Sequence, residues 1–87
     1  MPSALVLLNV ELDSEADVLK ALKKIEGFEK AFVVYGVYDV AARVRADTMD
    51  KLNQIAASHI RRPENVRSTL TMIIIEESSL GMEWRVR

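Results

Sequence analysis

Apolar and polar positions along the first third of the chain predict a strand followed by a helix. The apolar run at residues 4–11 (ALVLLNVE) is too short for a helix and predicts a strand. Four apolar residues then recur at helical spacing: Val18, Leu19, Leu22 and Ile25. Asp13 and Ser14 offer an N-cap oxygen before them, and Gly27 offers a left-handed C-cap after them. We therefore predict a helix over about residues 14–26.

Two further strands and a hairpin follow. Residues 28–35 (FEKAFVVY) and 38–45 (YDVAARVR) have the composition and alternation of strands. Gly36 and Val37 lie between them, and a glycine that opens a two-residue connection predicts a type II′ hairpin turn.

A second helix and a last strand complete the pattern. Asp47 repeats the N-cap signal, and Pro63 ends the helix. The apolar stripe between them consists of Met49, Leu52, Ile55, Ala56 and Ile60. Residues 66–76 (VRSTLTMIIIE) then give the clearest strand pattern in the chain.

The six elements have the order β-α-β-β-α-β. Asp13-Ser14 and Asp47-Thr48 occupy matching places in its two halves. Two such units predict an α+β, ferredoxin-like fold, in which right-handed crossovers put both helices on one face of a four-stranded antiparallel sheet. We assign residues 1–76 to this domain and residues 77–87 to a C-terminal tail, where MEWRVR predicts a short edge strand.

The strands are apolar on both sides, although two helices can cover only one side. In the first strand Leu5 and Leu7 alternate with residues of the opposite face. In the last strand Leu70, Met72 and Ile74 do the same. An uncovered apolar sheet face is larger than monomers usually expose, which predicts a homodimer packed through sheet faces. The alternative is that the tail covers the face within one chain, with Trp84 as its lid.

The composition is that of one small globular domain: 87 residues, 49% hydrophobic and 29% charged. The formal net charge of −1 argues against general nucleic-acid binding, which needs a basic excess. There is no cysteine for disulfides, thiol catalysis or zinc, and His59 alone is too little for a histidine metal site. The chain opens without a basic leader and has no run of about 20 apolar residues, so we expect a cytoplasmic protein without cofactor or membrane contact.

Two motifs in these elements resemble those of a known family. The hairpin carries Gly36-Val37-Tyr38-Asp39, which fits the pattern G-x-(Y/F/H)-D. The last strand carries Val66-Arg67-Ser68-Thr69-Leu70-Thr71, which fits V-x-x-(T/S)-x-T before an apolar run. Together with the element order and the acidic pair Glu76-Glu77, they resemble the regulatory half of the leucine-responsive/asparagine-C (Lrp/AsnC) feast-or-famine transcription regulators. The resemblance covers nearly the whole chain.

The resemblance implies a stand-alone effector-binding module. Regulators of this family carry a helix-turn-helix domain before this one, and the first strand here begins at about residue 4, so we expect no DNA-binding domain and no direct nucleic-acid contact. In the family the module dimerises through its sheet into a dimeric α/β-barrel-like assembly, and dimers form rings, often octamers. Small effectors, commonly amino acids, bind between dimers near the hairpin and the last strand. Mixed assembly with full-length regulators is a further partnership that the resemblance implies.

The resemblance places a candidate ligand site on the hairpin and the last strand: Gly36, Val37, Tyr38, Asp39, Ser68, Thr69 and Thr71. A free amino acid needs an acceptor for its ammonium group, which Asp39 can supply, and donors for its carboxylate, which loop N–H groups and the three hydroxyls can supply. Each residue also has a structural alternative. Gly36 can be only a turn glycine, Asp39 can bond turn amides or an arginine, and the threonines and tyrosines can be strand-forming and packing residues.

Three function classes stay open on the residues alone. The first is the amino-acid-binding assembly module, the second an assembly domain without a ligand, and the third a small cofactor-free enzyme of the ferredoxin-like kind. An enzyme needs a lined pocket and an acid–base pair, whereas the candidates Asn9, His59 and Trp84 are scattered along the chain. We therefore expect no catalytic residues and no metal ligands.

Overall fold

Four strands and two helices follow one another in the predicted order. The computed structural model describes residues 1–78, so the predicted tail strand at MEWRVR lies outside the described residues. The elements are β1 (Ser3–Val10), α1 (Glu15–Lys23), β2 (Phe28–Val33), β3 (Val40–Arg45), α2 (Met49–Gln54) with a π-helical turn (Ile55–His59), and β4 (Val66–Ile74). The last strand therefore ends two residues before the predicted boundary.

The strands form one antiparallel sheet in the order β2-β3-β1-β4. At its centre Val6 lies opposite Ala42 of β3 and Thr71 of β4. The neighbouring residue Leu7 lies opposite Ala41 and Leu70, on the other face. This register confirms the predicted alternation of the two faces and the ferredoxin-like topology.

One face of the sheet and both helices enclose the core. The sheet contributes Ala4, Val6, Leu8, Val10, Val40, Ala42 and Val44. The helices contribute Val18, Leu22, Leu52, Ile55, Ala56 and Ile60. The apolar stripe predicted for the second helix is thereby confirmed except at Met49, whose side chain is 44% exposed. Met49 is the first residue of α2 and lies before the helix reaches the core.

The two helices begin differently from one another. At α2 the N-cap is Thr48, whose Oγ1 accepts from the Lys51 N–H at 3.1 Å. The prediction of Asp47 as the cap is therefore wrong by one residue. At α1 Ser14 occupies the cap position as predicted, but its side chain makes no capping hydrogen bond.

The turn after α1 depends on a glycine. The helix ends at Lys23, three residues earlier than predicted, because the following N–H groups bond to carbonyls only three residues back. Gly27 has φ +94°, which confirms the predicted left-handed conformation. Its carbonyl accepts from the Arg45 N–H at 2.8 Å, and a Cβ at this position would lie 2.3 Å from the Arg45 carbonyl oxygen. Only glycine fits this turn.

The second helix widens in its last turn. The Ile60 N–H donates to the Ile55 carbonyl at 3.0 Å, five residues back rather than four. Ile55, Ala56 and Ile60 are all buried in this arrangement. His59, at the end of the π-helical turn, is half-buried.

The predicted tight hairpin is wrong. β2 ends at Val33 and β3 begins at Val40, so residues 34–39 form a longer loop. Gly36 lacks the positive φ that a type II′ turn requires, and among the glycines of residues 1–78 only Gly27 has it. The physical reason lies in β1: the Asp39 N–H donates to the Leu8 carbonyl, and the loop closes through the Val34 N–H and the Asp39 carbonyl.

Within residues 1–78, no helix packs on the second face of the sheet. We call it the helix-free face, and its residues are Ser3, Leu5, Leu7, Asn9, Lys30, Phe32, Ala41, Arg43, Arg45, Ser68, Leu70, Met72 and Ile74. Phe32, Ala41, Leu7 and Leu70 form an apolar row across all four strands. Phe32, Leu70 and Met72 are 55%, 45% and 41% exposed, so an apolar surface remains open on the single chain.

Candidate functional site

The hairpin loop stands out at the end of the sheet where β1 finishes. Tyr35 and Val37 are almost fully exposed, and nothing lies within 4 Å of the position of a Cβ on Gly36. Tyr38 and Asp39 are half-buried where the loop rejoins the sheet. The loop therefore offers open backbone and apolar side chains to a ligand or to another chain.

Asp39 ties this loop to β1. Its Oδ2 accepts from the Val10 N–H at 2.9 Å, and its own N–H donates to the Leu8 carbonyl at 2.9 Å. The carboxylate thus satisfies a strand N–H beside the irregular pairing of Asn9 and Val10 with β4. Because an ionised carboxylate has about four acceptor positions, this bond leaves room for further donors.

The three hydroxyls of β4 do not share a face. Ser68 lies opposite Asn9 on the helix-free face, and its Oγ accepts from Asn9 Nδ2 at 3.3 Å. Thr69 and Thr71 lie opposite Leu8 and Val6, on the face that carries the helices, and both are half-buried. Within one chain the three hydroxyls therefore do not converge on a single point.

Asn9 is the residue that connects the two halves of this region. It is located on β1, between the loop that carries Asp39 and the strand that carries Ser68. β3, which follows that loop, and β4 lie on either side of β1, about 9.5 Å apart, which is two strand spacings. We considered Asn9 from the sequence only as a scattered enzyme candidate, although a polar residue within an apolar strand was a signal for this position.

A charged cluster occupies the opposite end of the helix-free face. Arg43 Nε lies 3.1 Å from Glu29 Oε1, and Arg45 Nε lies 3.2 Å from Glu29 Oε2. Both contacts are ion pairs, but neither Nε–H group points at the carboxylate well enough to form a hydrogen bond. Arg43 also bonds the carboxylate of Glu77, which lowers the pKa of Glu77 and raises that of Arg43. Nearby charges of Arg45 and Lys30 lower the Glu77 pKa further.

Two depressions lie on the helical side, away from the hairpin. One of about 310 Å³ is lined by Met1, Glu26, Gly27, Arg45, Ala46, Asp47, Lys51, Gln54, Ile55 and His59. The other is lined by Ala21, Lys24, Ile25, Glu26, His59, Arg62 and Pro63. None of the residues of the predicted ligand site lines either of them.

Of the enzyme candidates within residues 1–78, Asn9 and His59 are not brought together. Asn9 belongs to the helix-free face and His59 to the second helix, which packs on the other face, while Trp84 is outside the described residues. In residues 1–78 no group of His, Asp and Glu side chains is arranged to hold a metal ion. Neither helix in this part of the chain is long and apolar enough to cross a membrane.

The fold and the motifs define a class of regulatory protein. Residues 3–83 match the family described as the Lrp/AsnC ligand binding domain. The chain belongs to this family. Domains of this kind bind small-molecule effectors, oligomerise and form the regulatory part of Lrp/AsnC proteins.

Particular relatives fall into three kinds. Protein PHS023 from Pyrococcus horikoshii is 34% identical with a TM-score of 0.80, over 88% of this chain and 93% of that one. The transcriptional regulator NMB0573 from Neisseria meningitidis, solved as an L-Met complex, is 12% identical with a TM-score of 0.80, over 93% of this chain and 54% of that one, and shows the fold alone. Homocitrate synthase of Saccharolobus solfataricus is 35% identical over 74 residues, 82% of this chain. The chain spans only about 16% of the length of that enzyme.

Proposed function

We propose that this chain is an effector-sensing assembly module of transcription regulation that binds an amino acid or a related small metabolite. The observation that carries the proposal is the match of residues 3–83 to the Lrp/AsnC ligand binding domain. The fold shared with a regulator solved with L-Met supports the ligand class. No residue of this chain is assigned a catalytic or metal-binding role.

The ligand would be held by charge and by backbone. Asp39 would accept the ammonium group, since its bond to the Val10 N–H uses only part of its acceptor capacity. The N–H groups of Gly36, Val37 and Tyr38 and the hydroxyls of Ser68, Thr69 and Thr71 would receive the carboxylate, since the Asp39 N–H already donates to the Leu8 carbonyl. Because these hydroxyls lie on two faces of the sheet, one chain does not bring all three to one ligand, and a ligand bound between dimers would take its hydroxyl contacts from more than one chain.

Assembly is the second part of the proposed function. Two copies would meet through the apolar row of the helix-free face, and dimers would join through their hairpin loops into a ring such as an octamer. A ligand bound where chains meet stabilises the assembled state by its differential affinity for that state. Full-length regulators of the same family are candidate partners in mixed assemblies.

A charge-neutral substitution at Asp39 tests the site. Thermal-shift screening against the twenty amino acids is expected to raise the melting temperature of the wild-type chain for a few of them. Asp39→Asn keeps an oxygen for the Val10 N–H but removes the charge that an ammonium group needs, so it is expected to abolish that response while the chain stays folded and assembled. Asp47→Asn removes the charge of an exposed residue outside the site and is expected to leave the response intact.

Two results would contradict the proposal. A wild-type chain that responds to no amino acid at millimolar concentration would support the assembly domain without a ligand. A full response in Asp39→Asn would place the ammonium group elsewhere.

A second candidate function follows from the homocitrate synthase match, in which a segment like this chain forms part of an enzyme. In this alternative the module senses the metabolite in the same way but controls a biosynthetic enzyme rather than a DNA-binding regulator. The test is to add the chain to the Saccharolobus enzyme from which the matching segment has been deleted. Activity that becomes effector-dependent only when the chain is present would support this alternative, and unchanged activity would oppose it.

A further inference from the structure

One of the two depressions on the helical side forms where the turn after α1 meets the end of β3. The Gly27 carbonyl accepts from the Arg45 N–H at 2.8 Å. A Cβ on Gly27 would lie 3.1 Å from Ile55 Cδ1, so the first residue of the π-helical turn reaches the same point. We call this depression the Gly27 cavity, and its volume is about 310 Å³. Sites for small molecules have volumes of about 300–1,000 Å³, so the cavity suits a small ligand.

The inner part of the Gly27 cavity is apolar. Ala46 and Ile55 line it and are each only 7% exposed, and Gly27 adds no side chain. The π-helical turn contributes both Ile55 and His59 to the lining. Widened turns of this kind are rare and often occur at functional sites. The apolar part favours a hydrocarbon group on the ligand, because burial of such a group removes it from water.

Polar side chains surround this apolar part. They belong to Glu26, Asp47, Lys51, Gln54 and His59. Within residues 1–78 none of these five side chains makes a hydrogen bond or an ion pair. Their hydrogen-bonding capacity is therefore open to a ligand in the cavity.

The charges of the lining favour a cation. Arg45 also lines the cavity, but its guanidinium group is paired with Glu29. The two carboxylates of the lining then exceed its remaining cation, Lys51, by one charge, with His59 counted as neutral. Lys51 is exposed, and its long stem lets the ammonium group turn toward water. A ligand ammonium group would form charge-assisted hydrogen bonds with the carboxylates.

The backbone around the cavity disfavours a ligand with a carboxylate. The N–H groups of Arg45 and Ala46 already donate to carbonyls, and that of Lys51 donates to the Thr48 hydroxyl. An α-amino acid carries its carboxylate and its α-ammonium group on one carbon, so it cannot bring in one without the other. Its carboxylate would then lie beside two like charges. The lining therefore favours an amine that has no carboxylate.

We propose that the Gly27 cavity binds a small primary amine without a carboxylate. Its ammonium group pairs with the carboxylates of Glu26 and Asp47, and its hydrocarbon body lies on Ala46 and Ile55. None of the residues of the proposed amino-acid site lines this cavity. Failure of the amino-acid screen would therefore leave the amine site standing.

Isoleucine methyl groups make the site observable. Ile55 lines the Gly27 cavity and not the neighbouring depression, whereas Ile25 lines the neighbouring depression and not the cavity. The chain with ¹³C-labelled isoleucine δ1 methyl groups is titrated with n-pentylamine at constant ionic strength and at about pH 8, where an alkylamine carries its proton. We expect a saturable shift of the Ile55 methyl signal and none of the Ile25 signal. A missing Ile55 shift at millimolar amine, or a shift of Ile25 alone, overturns the proposal.

A shorter amine tests the apolar part of the cavity. Methylamine has the same charge as n-pentylamine but lacks four CH₂ groups. Each of these groups is expected to improve affinity about two- to fourfold when it is buried, so methylamine is expected to bind at least about tenfold more weakly. Equal affinities would show attraction of any cation to the surface and overturn the site.

Charge variants test the polar part. Glu26→Gln and Asp47→Asn are each expected to weaken n-pentylamine binding at least about threefold, and Lys51→Gln to strengthen it about twofold by removing a like charge. Asp50→Asn makes the same change at an exposed position of α2 outside the lining and is expected to have no effect. Equal weakening in Asp50→Asn would overturn the site. Asp39→Asn is expected to keep the Ile55 shift, so failure of the amino-acid site and failure of the amine site are distinguishable.

Discussion

At the scale of single residues, two glycines with similar sequence contexts turn out to have different roles. Each lies at the end of a predicted element, Gly27 after Glu26 and Gly36 after Tyr35, and the sequence predicts a turn at each. Gly27 has positive φ and backbone of β3 against it, whereas Gly36 has neither positive φ nor a close neighbour. The difference depends on Arg45, which is distant in sequence from Gly27.

Gly27→Ala is expected to destabilise the protein. The left-handed backbone alone costs an alanine about 1–2 kcal/mol, and its Cβ would also meet the Arg45 carbonyl oxygen. Gly36→Ala is the matched control and is expected to change the free energy of unfolding by less than about 0.5 kcal/mol. Urea unfolding of the two variants measures both values. Similar losses in both would show that Gly27 is not confined as described.

Glu77 gives a pH dependence with a defined sign. Its pKa lies below the ordinary value of 4.5 because Arg43 donates a hydrogen bond to the ionised form. The contact therefore stabilises the folded state above pH 4.5 and is lost as the pH falls through the lowered folded-state value. The difference in unfolding free energy between wild type and Glu77→Gln is expected to be present at neutral pH, to shrink in acid and to shrink with added salt. A difference that grows in acid would contradict this sign.

At the scale of elements, the start of each helix was predictable in place but not in detail. A short polar residue marks both starts, and both helices begin within two residues of the expected position. Only at Thr48 does the side chain reach an N–H group of the first turn. At α1 the residue before the cap, Asp13, has φ +62°, and Ser14 itself has an atypical backbone for a cap.

The two caps can be compared directly by mutation. Thr48→Ala is expected to lower the free energy of unfolding by about 1 kcal/mol, because it leaves the Lys51 N–H without its acceptor. Ser14→Ala is expected to cost less than about 0.5 kcal/mol, since no capping bond is lost. Chemical denaturation gives both values. Equal costs would mean that Ser14 caps α1 in solution.

In the strands, the sequence pattern predicted the faces of the side chains but not the loop between β2 and β3. Alternation predicted which residues of β1 and β4 share a face, because side chains of a strand point to opposite sides at every step. The same reasoning places Ser68 on the side opposite Thr69 and Thr71, a separation that the motif by itself did not indicate. The loop at residues 34–39 was missed because its bonds run to Leu8 and Val10 of another strand.

At the scale of the whole molecule, the helix-free face is the feature that matters most for assembly. Each large apolar side chain buried there would contribute about 1.5–3 kcal/mol. The cost of association is about 4–15 kcal/mol, and the burial of several such side chains together exceeds the lower values of that range. The proposed dimer therefore needs the whole apolar row rather than one residue.

A lysine in that row tests the dimer. Leu70→Lys places a charge at a position that is 45% exposed in the single chain, so the fold is expected to tolerate it. In a dimer it would bury a charge without a partner, and we expect the dissociation constant to rise about a hundredfold or more, equal to about 2.7 kcal/mol. Leu12→Lys, at a residue that is 89% exposed and outside the sheet, is the control. Sedimentation equilibrium that gives the same association for both variants would contradict this dimer.

The sequence by itself determined the order of elements, the helical stripes and the faces of the strands, because these follow from local periodicity and from residues at helix ends. The tertiary structure decided that Asp39 serves β1, that the hydroxyls of β4 divide between two faces, and that Glu77 returns to Arg43. Each of these depends on which strands become neighbours. Contacts between residues far apart in the chain arise only when the sheet closes, and no local pattern encodes them.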